Sequence, residues 1–221
     1  MPTKVVKVKE KEIEGGPRRA IEYFASSKRS SPLIHVFDEF WREGELALIF
    51  GASGTGKSLL AFQVADALAR GMPIHGFVMP TGRQKVLYVD FNLSDVQFRN
   101  RYRGFKASKN LYRERFIGEG DHFERIKKSV EANGIRVVII DDLSAVKRTN
   151  DGVRETLAFM RQLKQLCEEL GISILAVSDA AEPKNGEVSE NDLGRSRILC
   201  TLADSVFAIG RTRHSEDGRY I

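Results

Sequence analysis

A chain of 221 residues with 42% hydrophobic and 29% charged side chains can bury one sizeable core, which excludes wholesale disorder. No apolar run is long enough to span a membrane and the start, Met1-Pro2-Thr3-Lys4, lacks the apolar core of a signal peptide, so a soluble, cytoplasmic protein is expected. A formal net charge of +5 permits a nucleic-acid partner without requiring one, and the two cysteines, Cys167 and Cys200, fit buried thiols in a reducing compartment better than a disulfide.

Residues 1–16 alternate valine with lysine and glutamate before Gly15-Gly16-Pro17 breaks the pattern, and Pro17 opens a short helical stretch that Ser30-Ser31-Pro32 ends. Residues 1–32 are therefore expected to form an arm and a short helix, and residues 33–221 a single core. His35 sits among apolar residues, where a packed histidine is commoner than a ligand, and Trp41 is expected to cover that core. The apolar run Leu46-Ala47-Leu48-Ile49-Phe50 predicts the first core strand.

Gly51-Ala52-Ser53-Gly54-Thr55-Gly56-Lys57-Ser58-Leu59 follows, and it satisfies GxxxxGK[ST] in full. Each residue type has a physical reason: glycines let backbone N–H groups curl around a triphosphate, and the helix that starts beside Lys57 adds its positive end. Lys57 can reach the terminal phosphates, and the Ser58 hydroxyl can hold Mg²⁺. ATP and Mg²⁺ are the implied cofactors.

Leu60, Val64, Ala67 and Leu68 continue at helical spacing until Gly71, and a Pro- and Gly-rich loop runs to Arg83. Lys85-Val86-Leu87-Tyr88-Val89-Asp90-Phe91 predicts a second strand, with Ser94 capping the next helix. Arg99, Arg101, Arg103, Lys106, Lys109, Arg113 and Arg115 then crowd one interval with Tyr102, Phe105 and Tyr112 between them. Such interleaving suits a DNA or RNA surface that joins phosphate contacts to base stacking, and equally a solvated face whose aromatics point inward.

A weaker strand is expected at Arg115-Phe116-Ile117 and a helix from His122 to Asn133. Ile135-Arg136-Val137-Val138-Ile139-Ile140 has the β-branched run of a strand buried on both faces, and it ends in Asp141-Asp142. A long amphipathic helix through Val153, Leu157, Met160, Leu163 and Cys167 stops at Gly171, followed by the strand Ile172-Ser173-Ile174-Leu175-Ala176-Val177, a short helix at residues 192–202 and a strand at residues 205–210. The chain then reaches Gly218-Arg219-Tyr220-Ile221, the start of a further strand or an edge hairpin. Alternating strands and helices specify an α/β fold, a mostly parallel central sheet flanked by helices on both faces. Asp141, at the tip of the buried strand, is placed to hold Mg²⁺ together with Ser58.

The phosphate loop, Asp90-Phe91-Asn92, Asp141 and Asp192-Leu193-Gly194-Arg195-Ser196-Arg197 together resemble the RecA-like P-loop ATPases, and among them the hexameric RepA-type helicase group and its AAA-type bacterial relatives. The resemblance runs from about Leu33 to Ile221. It implies ATP hydrolysis, a homo-oligomeric ring or filament, and action on DNA or RNA. It also implies that Arg195 and Arg197 act as basic fingers in a neighbour's site. Asn92 stands where that family carries the glutamate that polarises the attacking water, and an amide accepts no proton. Three readings follow: natural loss of fast hydrolysis, a substitution introduced to trap ATP, or a stand-in base, Asp90 or Asp142. Slow or absent hydrolysis is expected, with Asp142 the better stand-in. Ser178-Asp179 departs from the family's polar phosphate sensor by placing an anion there. The loop from Glu182 to Asn191, in the position of the family's central DNA-facing loop, has Lys184 against three glutamates, which argues against tight phosphate binding there. A nucleotide-dependent switch or scaffold that binds a protein partner is the alternative reading. A small-molecule kinase is disfavoured because no acceptor-site base is evident.

Overall fold

The alternation of apolar runs with amphipathic helices folds as layers, because the central strands are apolar on both sides and the helices that flank them present an apolar face. The computed structural model describes residues 19–21, 34–116, 120–146, 152–183, 187–212 and 218–221. The chain divides into Met1–Leu33 and Ile34–Ile221. In the first unit Ala20 and Ile21 are helical, and the expected arm at residues 1–16 lies outside the described residues.

In the second unit a small antiparallel pair, β1 (His35–Phe37) and β2 (Trp41–Arg42), precedes β3 (Leu46–Gly51). Helix α1 (Lys57–Arg70), β4 (Val86–Asp90), α2 (Asp95–Arg101), β5 (Leu111–Arg115), α3 (His122–Asn133), β6 (Val137–Asp141), α4 (Gly152–Leu170), β7 (Ser173–Asp179) and β8 (Ser205–Ala208) follow. Six of these strands form one parallel sheet in the order β5-β4-β6-β7-β3-β8.

Side-chain alternation divides the core in two. Ala47 and Ile49 of β3, Ile139 of β6 and Val177 of β7 face the layer that holds Leu60, Phe62, Val64 and Leu68 of α1. Leu46, Leu48, Ile140 and Ile174 face the opposite layer, against Ile126 and Val130 of α3 and Met160, Leu163 and Cys167 of α4. Trp41 is fully buried, and its indole N–H donates to the Glu45 carbonyl at 3.1 Å. His35 is packed as expected, with Nδ1 against the Asp38 carbonyl.

Local chemistry sets the helix ends. Ser94 and Gln97 form a reciprocal capping box at α2, and Gly71 and Gly134 close α1 and α3 in the left-handed conformation. Two expectations shift. The strand expected near residue 115 lies at Leu111–Arg115, where it pairs with β4 from Val86↔Leu111 to Asp90↔Arg115. Glu190–Thr201 is a 3-10 helix broken at Gly194 (φ 54°, ψ −125°), and the glycine there prevents an ordinary α-helix. After β8, β9 (Gly210–Arg211) pairs antiparallel with β10 (Arg219–Tyr220) as a separate two-stranded sheet, so the terminal hairpin of the expectation forms outside the central sheet. Among the described residues no helix is long and apolar enough to cross a membrane.

Candidate functional site

The carboxyl edge of the sheet brings four strand ends together: Gly51 of β3, Asp90 of β4, Asp141 of β6 and Asp179 of β7. Register fixes them in pairs, Gly51 opposite Asp179 and Asp90 opposite Asp141.

From β3 the chain turns through Ala52–Gly56 into α1. Gly56 has φ 102°, a conformation that strains any residue with a Cβ, and it caps α1 with no side-chain bond to the first-turn N–H groups. A Cβ on Gly51 would lie 2.3 Å from the Ile209 carbonyl, so that position is closed to larger residues. The result is a short backbone cradle that ends at a helix N-terminus, a geometry suited to an anion. Leu59, one turn in, leaves its side chain half-exposed.

Lys57 is 6% exposed, and all three of its N–H directions are taken. Nζ donates to the carbonyls of Gly51 at 2.9 Å and Ala52 at 2.8 Å, and pairs with Asp179 Oδ1 at 2.8 Å. Ser58 Oγ donates to Asp141 Oδ1 at 2.9 Å, so the two oxygen donors expected to share Mg²⁺ do meet. Burial raises the Asp141 carboxyl above the usual carboxylate range, while hydrogen bonds from Tyr88 and Ser58 oppose that shift. A hydroxyl and one carboxylate form a hard-oxygen pair that fits Mg²⁺ shared with phosphates. Among the described residues no group of three or more His, Cys, Asp or Glu forms a protein-only metal cage.

Two tyrosines complete this corner; the sequence places Tyr88 only in a strand and Tyr102 among the aromatics of the basic segment. Tyr88 donates to Asp141 Oδ2 at 2.6 Å, and Tyr102 donates to the Ser58 carbonyl at 3.3 Å. Burial first, and Asp141 second, push the Tyr88 phenol well above its ordinary range, so it stays protonated and donating. Replacing Tyr88 with phenylalanine should cost about 1–3 kcal/mol, because a buried carboxylate oxygen loses its donor. Urea unfolding of the two proteins measures it, and an unchanged midpoint would show that the bond contributes nothing.

Asn92 Nδ2 donates to Asp142 Oδ2 at 3.0 Å, and the backbone N–H of Ser144 donates to Asp142 Oδ1 at 2.8 Å, where its hydroxyl also donates. The Asp141–Asp142 peptide is cis. Asp90 is the more enclosed of the two expected stand-in bases. Its Oδ1 accepts the N–H groups of Asn92 and Leu93, its Oδ2 accepts two bonds from Arg113, and it is 1% exposed. Asp142 is also buried, at 9% exposed, with both oxygens accepting hydrogen bonds, and it is the carboxylate that meets the Asn92 side chain.

The basic segment divides in two. Arg113 is turned inward onto Asp90 and Asp95, with its guanidinium 4.1 Å over Phe98. Tyr102 is buried and stacked on Phe62 with centroids 3.7 Å apart, and Tyr112 packs against the α3–α4 layer. Arg99, Arg101, Arg103, Lys106 and Lys109 are exposed, as is Phe105. Arg197 is also exposed, and it pairs with Glu190 and Asn191 of its own segment rather than with the loop of its own chain. The side chain of Arg195 and residues 184–186 of the acidic loop lie outside the described residues.

The terminal hairpin also reaches the site. Arg219 Nε donates to the Thr55 carbonyl at 3.0 Å, and an Arg211 nitrogen lies 3.2 Å from where a Cβ on Gly54 would sit. Beside this corner a cleft of about 670 Å³ is lined by Phe40, Leu59, Leu60, Gln63, Phe77, Ile209 and Ile221. Its size and apolar walls suit a flat heterocycle attached to the phosphates in the loop. Both arginines act through a return of the chain that no local pattern announces.

A family model described as an AAA domain matches residues 19–183. Among solved structures, a KaiC-like protein from the hyperthermophilic archaeon Pyrococcus horikoshii is similar in fold, with a TM-score of 0.59, 18% identity, and coverage of 83% of this chain and 81% of that one. No curated protein matches.

Proposed function

The chain belongs to the AAA domain family, as a RecA-like P-loop ATPase, and from that premise we propose that it binds ATP with Mg²⁺, hydrolyses it slowly, and works as a homo-oligomer on DNA or RNA. The observation that carries the nucleotide reading is the Ser58–Asp141 contact at 2.9 Å beside the buried Lys57. Gly51–Ser58 would cradle the phosphates through backbone N–H groups, and Ser58 and Asp141 would hold the ion. Bound there, Mg²⁺ supplies charge neutralisation between the terminal phosphates. Lys57 binds phosphate oxygen, Asn92 orients water by hydrogen bonding, and Asp142 is the group beside it able to accept a proton. The nucleobase would occupy the cleft between Phe40, Phe77 and Ile209.

Slow turnover rests on Asn92, whose amide can orient a water but not deprotonate it. The oligomer and the nucleic-acid partner rest on Arg195 and Arg197 and on five exposed cations around α2. Those cations, with Phe105 among them, support phosphate contact with some base stacking. Binding of single-stranded DNA in the presence of ATP, measured at several salt concentrations, tests the partner. Five phosphate contacts predict a slope of about −3.5 in log K against log salt. Affinity absent or flat in salt would favour the alternative, a nucleotide-dependent switch that binds a protein.

A further inference from the structure

The carboxylate on Lys57 has a consequence for which nucleotide the loop retains. Asp179 closes β7 directly opposite Gly51, and the Ala180 N–H donates to the Gly51 carbonyl at 2.9 Å, so its backbone is tied to the phosphate loop. Its side chain is 52% exposed, yet Oδ1 lies 2.8 Å from Nζ of a lysine that is 6% exposed. The ammonium has three N–H groups, and Gly51, Ala52 and Asp179 occupy them.

A lysine in this loop serves the terminal phosphates. Any phosphate that takes its charge must displace one of those three acceptors. Asp179 is the anion among them and, with its backbone held by the sheet, its charge remains near whatever replaces it. A diphosphate offers its last phosphate to the loop's backbone N–H groups and can share Lys57 with the carboxylate. A triphosphate extends a further doubly charged group toward the same ammonium, and therefore toward Asp179. Like charges a few ångströms apart at a half-exposed site repel by an amount worth about tenfold or more in affinity.

We infer that Asp179 is a specificity-determining residue that makes this site retain nucleoside diphosphate in preference to triphosphate, with Lys57 held back from the third phosphate. The inference rests on the nucleotide-binding reading above and concerns the same site.

Titration calorimetry of the full chain with MgADP and with the Mg²⁺ complex of β,γ-imido-ATP, on the wild type, D179N and D179S, tests it. The wild type should bind the diphosphate at least about tenfold more tightly. D179N, which keeps the shape and removes the charge, should tighten the triphosphate analogue by about tenfold while moving the diphosphate less than about threefold, and D179S should follow it. Equal changes for both nucleotides, no change, or a weaker triphosphate in both variants would overturn the discrimination while leaving nucleotide binding intact. A wild type and variants that bind neither nucleotide would overturn the nucleotide-binding reading and this inference with it.

Discussion

Replacing Lys57 with alanine should weaken ATP binding by about 30- to 1,000-fold, the consequence of removing one charge from a desolvated, hydrogen-bonded site, about 2–4 kcal/mol. The size of the effect follows from where the ammonium sits. It is 6% exposed and joins the carbonyls of Gly51 and Ala52 to Asp179, so it holds the loop in its turn and is placed to neutralise a phosphate bound there. Its loss leaves two carbonyls and a half-exposed carboxylate with fewer partners, of which only the carbonyls are deeply placed. Stability should therefore fall much less than affinity. Calorimetric titration with ATP, paired with a urea transition of the same variant, separates the two. Near-normal affinity in a folded K57A protein would show that the loop's backbone N–H groups alone hold the phosphates. Lys57→Arg is a sharper control, since a planar guanidinium cannot reproduce a point charge within the space between Gly51 and Asp179.

The phosphate loop was legible in the sequence because its chemistry is local. Gly56 must take a left-handed φ, Lys57 and Ser58 must open the helix, and these demands concern adjacent residues. The buried strands were legible for a related reason: Val137 to Ile140 are apolar on both faces, and only the interior of a parallel sheet accepts that. Tyr88 was read only as part of a strand. Its bond to Asp141 depends on the register between β4 and β6, which fixes who is opposite whom and leaves no trace in either strand alone. Tyr102 and Arg113 looked like parts of a nucleic-acid surface, since composition cannot tell an arginine that reaches solvent from one folded onto Asp90. The Asp179 carboxylate was visible as a misplaced charge near the phosphates, and the structure adds that its partner is Lys57. Arg211 and Arg219 come to the loop through a hairpin that closes across residues far apart in the chain from Gly54 and Thr55, so no spacing rule could have found them.

Converting Asn92 to glutamate should raise ATP turnover by about 10²- to 10⁴-fold, the range a positioned general base contributes. The geometry makes the outcome more than a simple gain. Asn92 now donates to Asp142 Oδ2 at 3.0 Å, and Ser144 holds the other oxygen of that carboxylate. A glutamate at 92 would lose that donor and face a like charge, so one of the two carboxyls would be driven toward its neutral form and the gain would shrink. The double variant N92E/D142N removes the conflict by exchanging amide and carboxylate, which restores an N–H···O pair across the same two strand ends. Phosphate release should therefore rise in the order wild type, N92E, N92E/D142N. D142N alone should fall below the wild type if Asp142 is the proton acceptor, as proposed. Turnover that stays at background in both glutamate variants, with ATP still bound, would place the block at Asp179 and Lys57 rather than at the missing base. The two sites make opposite demands on the ligand. In the proposed function Asn92 would govern whether water is activated, while Asp179 would govern whether the third phosphate is held long enough to be attacked. A glutamate at 92 combined with D179N should then exceed either change alone, reaching about the product of their separate effects, since each removes an obstacle the other leaves in place.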